Sequence, residues 1–484
     1  MIIYPKGHIS WCMFFFLVNL IVIFKVQPVF AQDNDATMIV DQKALTCFEG
    51  TYGNSINGQS FQQDALTSYK GWQYIAYYNG ARQVCLGRRK LTDYKWETIN
   101  FDDYRFSYLK NQDNNTHNVI SIGLCTKDGT IHLSFDQHAG PLHYRVSIKD
   151  ILDNPERVQW TSKLFKPIVN YLEIGKPIPV VSYPTFISTP QGNLLFAYRN
   201  GYSSNGDCLI GQYDASSGKW TDPHVFISRS GNYQDPFKGD SKNRNAYLNN
   251  LSYDHKGVLH ISWTWRENVA TLGNRDICYA YSKDNGNSWC NHRNDLIAVH
   301  GAGQSKSIDA LSAGITVRHL DRGWGVMNQQ SQVADKRLKP HIVMYHKKSH
   351  GGPGWALMEN GAYFHYYQKE GIWQQNQLPF MGNRPKLICD RNNNLFLVFV
   401  RKDHFEAKNQ GAPLVVVRAT YKSGWKDWKE VYVSKATYFN EPQLDLARWL
   451  NAGILSVMLQ SPPAVEGQPS ALHVLEIEGK HLNP

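Results

Sequence analysis

A tryptophan recurs near the end of successive strand-like stretches, at Trp96, Trp160, Trp220, Trp289, Trp373 and Trp428. Between these positions lie short runs of β-branched and aromatic residues. They are broken by turn pairs such as Lys70-Gly71, Asp128-Gly129, Gln191-Gly192 and Lys256-Gly257. Helical periodicity is scarce. Units of this length, made of strands and turns, cannot bury their own apolar faces and must stack on one another. The expectation is an all-β chain: a seven-bladed β-propeller of four-stranded antiparallel blades. The units read as residues 61–101, 117–165, 183–228, 246–296, an irregular 317–378, then 384–434 and 441–478. The leftover segment "ATMIVDQKALTCF" would complete the last blade and close the ring, which hides sheet edges.

The front of the chain reads differently. Lys6 precedes a mostly apolar run, and Val29 and Ala31 are small residues placed as at a signal-peptidase site. Residues 1–31 are therefore expected to be a secretory signal peptide, and 32–484 a single exported propeller domain, extracellular or periplasmic. No later stretch approaches the ~20 apolar residues of a membrane helix, so no span is expected in the mature chain. The net charge of +10 is dispersed rather than gathered in a Lys/Arg run. That argues against nucleic acid and fits either solubility or a polyanionic partner. With Cys12 removed, seven cysteines remain, an odd number in strand-like contexts. They read as buried thiols rather than a disulfide framework. The chain is expected to act as a monomer.

The stretch "DGTIHLSFDQHAGPLHYRVS" at 128–147 is unusually rich in histidine. If each turn pair is a two-residue hairpin, His138 faces Val119 with His117 just beyond it. By the same reasoning Tyr183 faces Asn200 with Arg199 diagonal, Tyr247 faces Arg266, and Arg384 faces Arg401. Equivalent ends of inner strands converge on one face of a propeller. His117, His138, Tyr183, Arg199, Tyr247, Arg266 and Arg384 should then ring one cleft. His132 falls mid-strand and reads as a satisfied structural histidine. His143 is a weaker site candidate, and Asp136 reads as a solvated or turn-bonding carboxylate. Any single Tyr–Arg pair could be a stacked structural contact; several together with histidines point to chemistry.

Glycosidases generally need two positioned carboxyl groups. Asp136 and Glu267 form no convincing pair. Histidine, tyrosine and arginine suit proton abstraction beside a carboxylate. In a polysaccharide lyase a uronic acid loses its C5 proton and the C4 oxygen leaves. A cation must offset the charge that builds on the carboxylate, and groups such as His and Tyr move the protons. This step needs no metal or organic cofactor.

"THNVISIGLCTKDGTIHLSFDQHAGPLHYRVS", "SYPTFISTPQGNLLFAYRNG" and "NRNAYLNNLSYDHKGVLHISWTWRE" resemble the BNR-4 propellers that include the ulvan lyases of polysaccharide lyase families 24 and 25, family 25 most of all. "SKDNGNSW" at 282–289 fits the Asp-box turn of BNR-type propellers, with Asp284 and Trp289 at the blade periphery. The resemblance implies cleavage of ulvan, a sulfated rhamnose–uronic acid polymer, by β-elimination. It implies His117 and Tyr183 as the base and acid in either order, and Arg199 with His138 on the carboxylate. Tyr247, Arg266 and Arg384 would bind substrate.

His260, Cys278, Cys290 and His292 fall on successive strands of the fourth unit, with Cys290 and His292 two apart. Two thiolates and two imidazoles make a tetrahedral zinc set, and the resemblance also implies a structural zinc. Unrelated buried thiols are the alternative. Two further readings stay open for the whole chain: a glycoside hydrolase of the same propeller group, rhamnosidase or sialidase-like, and a non-catalytic carbohydrate-binding propeller.

Overall fold

The computed structural model describes residues 1, 35–47, 55–59, 61–62, 64–106, 116–237, 239–268, 273–301, 303–357, 359–401 and 411–483. The expected signal peptide and its cleavage site lie outside these residues.

Some strands are buried along their whole length. Leu395–Val400 is an unbroken apolar run, and Thr130–Phe135 buries Thr130, His132 and Ser134 along with its apolar residues. A strand buried on both faces loses the in–out alternation of a one-sided sheet. Glu97–Arg105 and Ile372–Gln377 show mixed exposure along their length.

All named strand pairs within the sheets are antiparallel, and the sheets follow one another along the chain. Leu66–Tyr69, Trp72–Tyr78, Gln83–Lys90 and Glu97–Arg105 form a four-stranded sheet. Four-stranded sheets also begin at Ser331–Ala334 and Lys386–Cys389. Another joins Gln443–Leu444, Ile454–Gln460 and Ser470–Glu478 to Ala36–Ala44. The sheet of Ile120–Cys125, Thr130–Phe135 and Tyr144–Val146 has three strands. The next, built on Val181–Ser188, Leu194–Tyr202 and Asn205–Asp214, has six, and the sheet built on Arg244–Tyr253, Leu259–Glu267 and Arg275–Ser282 has seven. Uniform four-stranded units are therefore not what the chain forms. Extra edge strands come from loop insertions, and His138–Gly140 leaves its own unit to pair with Val181–Ser188 of the next.

The apolar core lies between sheets rather than within them. Ile120, Ile122 and Leu133 pack with Tyr74, Leu86 and Phe101 of the preceding sheet. Phe186 and Phe196 pack with Cys125 and Tyr144. Met38, Met458 and Val474 pack on Leu66, Ile75 and Trp96, which joins the last sheet to the first. The result is an all-β propeller. Its front strand Ala36–Ala44 pairs with Ser470–Glu478, as the leftover segment led us to expect. The Asp-box is formed. Asp284 Oδ1 accepts from the Ser282 hydroxyl and the Ser288 N–H, both at 2.8 Å, and Trp289 is fully buried against Phe226. Among the described residues no cysteine is disulfide-bonded, and no helix is long and apolar enough to cross a membrane.

Candidate active site

The inner strands deliver side chains to one face, in a register that departs from the two-residue-turn reading. Ile120 pairs with Phe135 and Cys125 with Thr130, so the turn between them is longer and His138 lies past the end of that ladder. His138 instead pairs with Ser182, and Ser182 also pairs with Arg199. Tyr183 falls between the registered pairs Ser182–Arg199 and Thr185–Ala197. It sits in a bulge between Ser182 and Thr185, with φ 57°. That left-handed conformation is strained for an aromatic residue, and such outliers persist where the surroundings over-determine them. In the fourth sheet a bulge near Asn249 puts Tyr247 opposite Thr264, and Arg266 opposite Asn245.

Five of the expected residues do meet. His117 and His138 stack with ring centroids 4.5 Å apart. Phe61 stacks on the other face of His117 at 5.1 Å and meets Tyr183 edge-on at 5.1 Å. The Tyr183 hydroxyl lies 3.4 Å from His138 Nε2. The Arg199 guanidinium sits 4.9 Å from the Tyr183 ring centre, and Tyr247 packs 6.0 Å from Tyr183. The hydroxyls of Tyr247 and Ser203 are 3.2 Å apart.

Electrostatics fix the protonation of this cluster. Burial, then the charge of Arg199, pushes His138 down to about 3. Burial also drives His117 well below the usual histidine range, helped by His138, Arg384 and Arg199. Both imidazoles are therefore neutral at neutral pH, and each offers a proton acceptor. Arg199 is only 3% exposed, and its Nη2 donates to the Ser182 hydroxyl at 2.9 Å. Among the described residues its Nε and Nη1 are buried without a hydrogen-bond partner. A buried guanidinium with open valence is costly unless an anion completes it. A cavity of about 30 Å³ touches this group, lined by Phe61, Tyr183, Arg199, Asn249 and Gln329. A larger cavity, about 700 Å³, opens elsewhere among hairpin turns such as Ser188–Pro190 and Asp390–Asn392. It holds none of the His/Tyr/Arg cluster, so chemistry rather than volume locates the site.

Arg384 borders the cluster. It is tied to Glu441 at 3.0 Å and to the Asn328 carbonyl at 2.9 Å, and its charge reaches His117. Arg266 instead lies over the Trp355 ring at 5.1 Å. His132 is structural, between the Thr130 hydroxyl at 2.8 Å and the Tyr144 hydroxyl at 2.7 Å. Asp136 is a turn residue at φ 55° that accepts from Asn118 Nδ2 at 2.6 Å and from the Tyr104 hydroxyl. It thereby fixes the segment next to His117. His143 packs on Tyr104 and Phe135 behind the site.

The expected zinc set does not assemble. Strand side chains alternate between faces. Cys278 packs with Trp263 and Ala280 on one side of the sheet; Cys290 packs with Tyr279 and Tyr281 on the other. His260 is occupied by the Tyr279 hydroxyl at 2.6 Å and Asp254 at 2.9 Å, and His292 Nδ1 by the Gly314 carbonyl at 2.7 Å. Among the described residues no three His, Cys, Asp or Glu side chains gather as a metal site. The donors as placed do not fit a tetrahedral zinc.

Two residues of the site escaped the sequence reading. Phe61 precedes the first strand and carries no periodic signal. Ser182 is a small polar residue in an apolar strand, and its neighbour Tyr183 drew the attention.

Comparison with known proteins bears on the fold and the family. A family described as BNR repeat-containing matches residues 72–381, well over half of the chain. An ulvan lyase, long isoform, of Glaciecola sp. (strain KUL10) is 25% identical over 294 residues, 53% of this chain and 28% of that protein. The short isoform of Alteromonas sp. (strain LOR) is 25% identical over 206 residues, 35% of this chain and 38% of that protein. The matched region thus spans well under half the length of these relatives. Among solved structures, a polysaccharide lyase superposes with TM-score 0.69 at 18% identity, covering 92% of this chain and 99% of that one. An ulvan lyase of polysaccharide lyase family 25, bound to glucuronate linked 1-4 to sulfated rhamnose, gives TM-score 0.61 at 12% identity over 90% and 95%. These superpositions establish a shared fold, and the match across residues 72–381 places the chain in the BNR repeat-containing family.

Proposed function

We propose that this protein is a polysaccharide lyase that cleaves the rhamnose–uronate linkage of ulvan, or of a closely similar sulfated polysaccharide, by β-elimination. One observation carries the reading: a buried arginine with open hydrogen-bond valence beside a tyrosine and two histidines held neutral. The ulvan lyases among the relatives support it.

In this reading Arg199 takes the uronate carboxylate, and its fixed charge stabilises the enolate-like state. His138, being neutral, can contribute a hydrogen bond but no charge. Neutral His117 accepts the C5 proton. The electrons of the C5–H bond form the C4–C5 double bond, the C4–O4 bond breaks, and Tyr183 protonates the leaving oxygen. Tyr247 lines the sugar, and Arg384 adds positive potential. We further propose a closed ring of seven blades, one domain over 32–484, export by the segment 1–31, and action as a monomer.

Mixing the protein with ulvan tests the function. Ultraviolet absorbance from an unsaturated uronate, rising with the reducing ends, is the expected result. Reducing ends without absorbance would mean hydrolysis and refute the proposal, and neither signal would leave a binding propeller.

A further inference from the structure

Ser182 lies where the site's three chemical parts meet. It is fully buried, and its Cα is the register partner of both His138 and Arg199. Its hydroxyl oxygen accepts from Arg199 Nη2 at 2.9 Å and from the Ala139 N–H at 2.7 Å. Ala139 follows His138 with φ 59°, and Tyr183 follows Ser182 with φ 57°. One hydroxyl is thus flanked by two left-handed residues, one being Tyr183 and the other adjoining His138. Strand pairing alone would be satisfied by backbone groups. The side chain adds a link that the ladder lacks, between a long flexible cation and the strand carrying an imidazole. An arginine side chain has ~2 kcal/mol of rotamer entropy, so an unpinned guanidinium would sample several positions. Holding Nη2 leaves Nε and Nη1 buried with no hydrogen-bond partner among the described residues.

We propose that Ser182 is a positioning residue: its hydroxyl sets Arg199 against His138 and Tyr183, so that cation and proton-transfer groups address the same uronate. This rests on the lyase reading above. A serine that only supported the strands would not couple Arg199 to the histidine. The clamp does, because Arg199 is one of the two causes that keep His138 unprotonated.

The test uses the full chain with Ser182→Ala, Ser182→Thr, Arg199→Ala and the Ser182→Ala/Arg199→Ala double variant. It reads kcat/KM on ulvan across pH, and the His138 ring titration by NMR. Ser182→Ala should lower kcat/KM by about tenfold to a hundredfold, the scale of a misplaced catalytic contact. It should also raise the pH at which His138 titrates and move the acid limb the same way. Ser182→Thr, which keeps the hydroxyl, should restore both. In the Arg199→Ala background Ser182→Ala should shift His138 no further, since acting residues that share a contact are non-additive. An unchanged His138 titration in Ser182→Ala, or additive shifts in the double variant, overturns the clamp even if activity falls. A wild-type chain that forms no unsaturated uronate would refute the lyase reading instead, and the titration would still judge the clamp.

Discussion

Tyr183 holds a backbone conformation that costs an aromatic residue ~1–3 kcal/mol. Its ring is fixed from three sides, by Phe61, Arg199 and Tyr247. Tyr183→Phe keeps that packing and removes only the hydroxyl. It should cut kcat on ulvan by at least about a hundredfold. Substrate affinity, measured by calorimetry, should stay within about threefold. Histidine sets the pH response. His138 and His132 are both pushed down to about 3, His138 by burial and Arg199, His132 chiefly by burial. Their ordinary value is ~6.5, so the unfolded chain binds more protons below that pH. The folded state should therefore lose stability progressively as pH falls from ~6.5 towards 3, seen as a falling urea midpoint. Activity per folded molecule should hold to below pH ~5, because the imidazoles stay neutral. At this scale much was legible. His132 sits mid-strand and finds two hydroxyl partners, and Asp136 is the turn-bonding carboxylate it resembled. Phe61 was not legible, since a lone aromatic ahead of the first strand has no repeat to betray it.

Strands and turns explain where the sequence reading slipped. Each turn pair was read as a two-residue loop, yet Cys125 pairs with Thr130, and bulges interrupt the ladders at Tyr183 and near Asn249. Each bulge moves a side chain by one place and re-aims it, as bulges beside active sites do. The cluster survived this error because His117 and His138 lie just outside Ile120–Cys125 and Thr130–Phe135 at one end of that hairpin, and Ser182 still registers with both His138 and Arg199. The zinc expectation did not survive, because parity within a strand is strict. Cys278 and Tyr279 point to opposite faces, and Tyr279 is the one that meets His260. A chelator should accordingly leave the melting temperature unchanged; a clear drop would show that the cysteines and histidines share a metal after all.

The whole molecule was the most legible level. Recurring tryptophans and turn pairs report a repeat, and a repeat of strands has few architectures available. Strand number per unit was not legible, since insertions after Asp214 and Ser282 add edge strands that carry little periodicity. Closure depends on Ala36–Ala44, which covers the edge of Ser470–Glu478, and on Met38 within the apolar seam to Trp96. Removing residues 36–44 should expose that edge and seam, lower the melting temperature by several degrees and promote aggregation, read by light scattering. All parts of the account converge on one bond change at a uronate. The most direct measurement is the proton NMR spectrum of ulvan after incubation with the wild-type chain and with Tyr183→Phe. The account predicts an olefinic H4 signal that grows with the wild type and is nearly absent with the variant. New chain ends without that signal, or equal signals from both proteins, would contradict it.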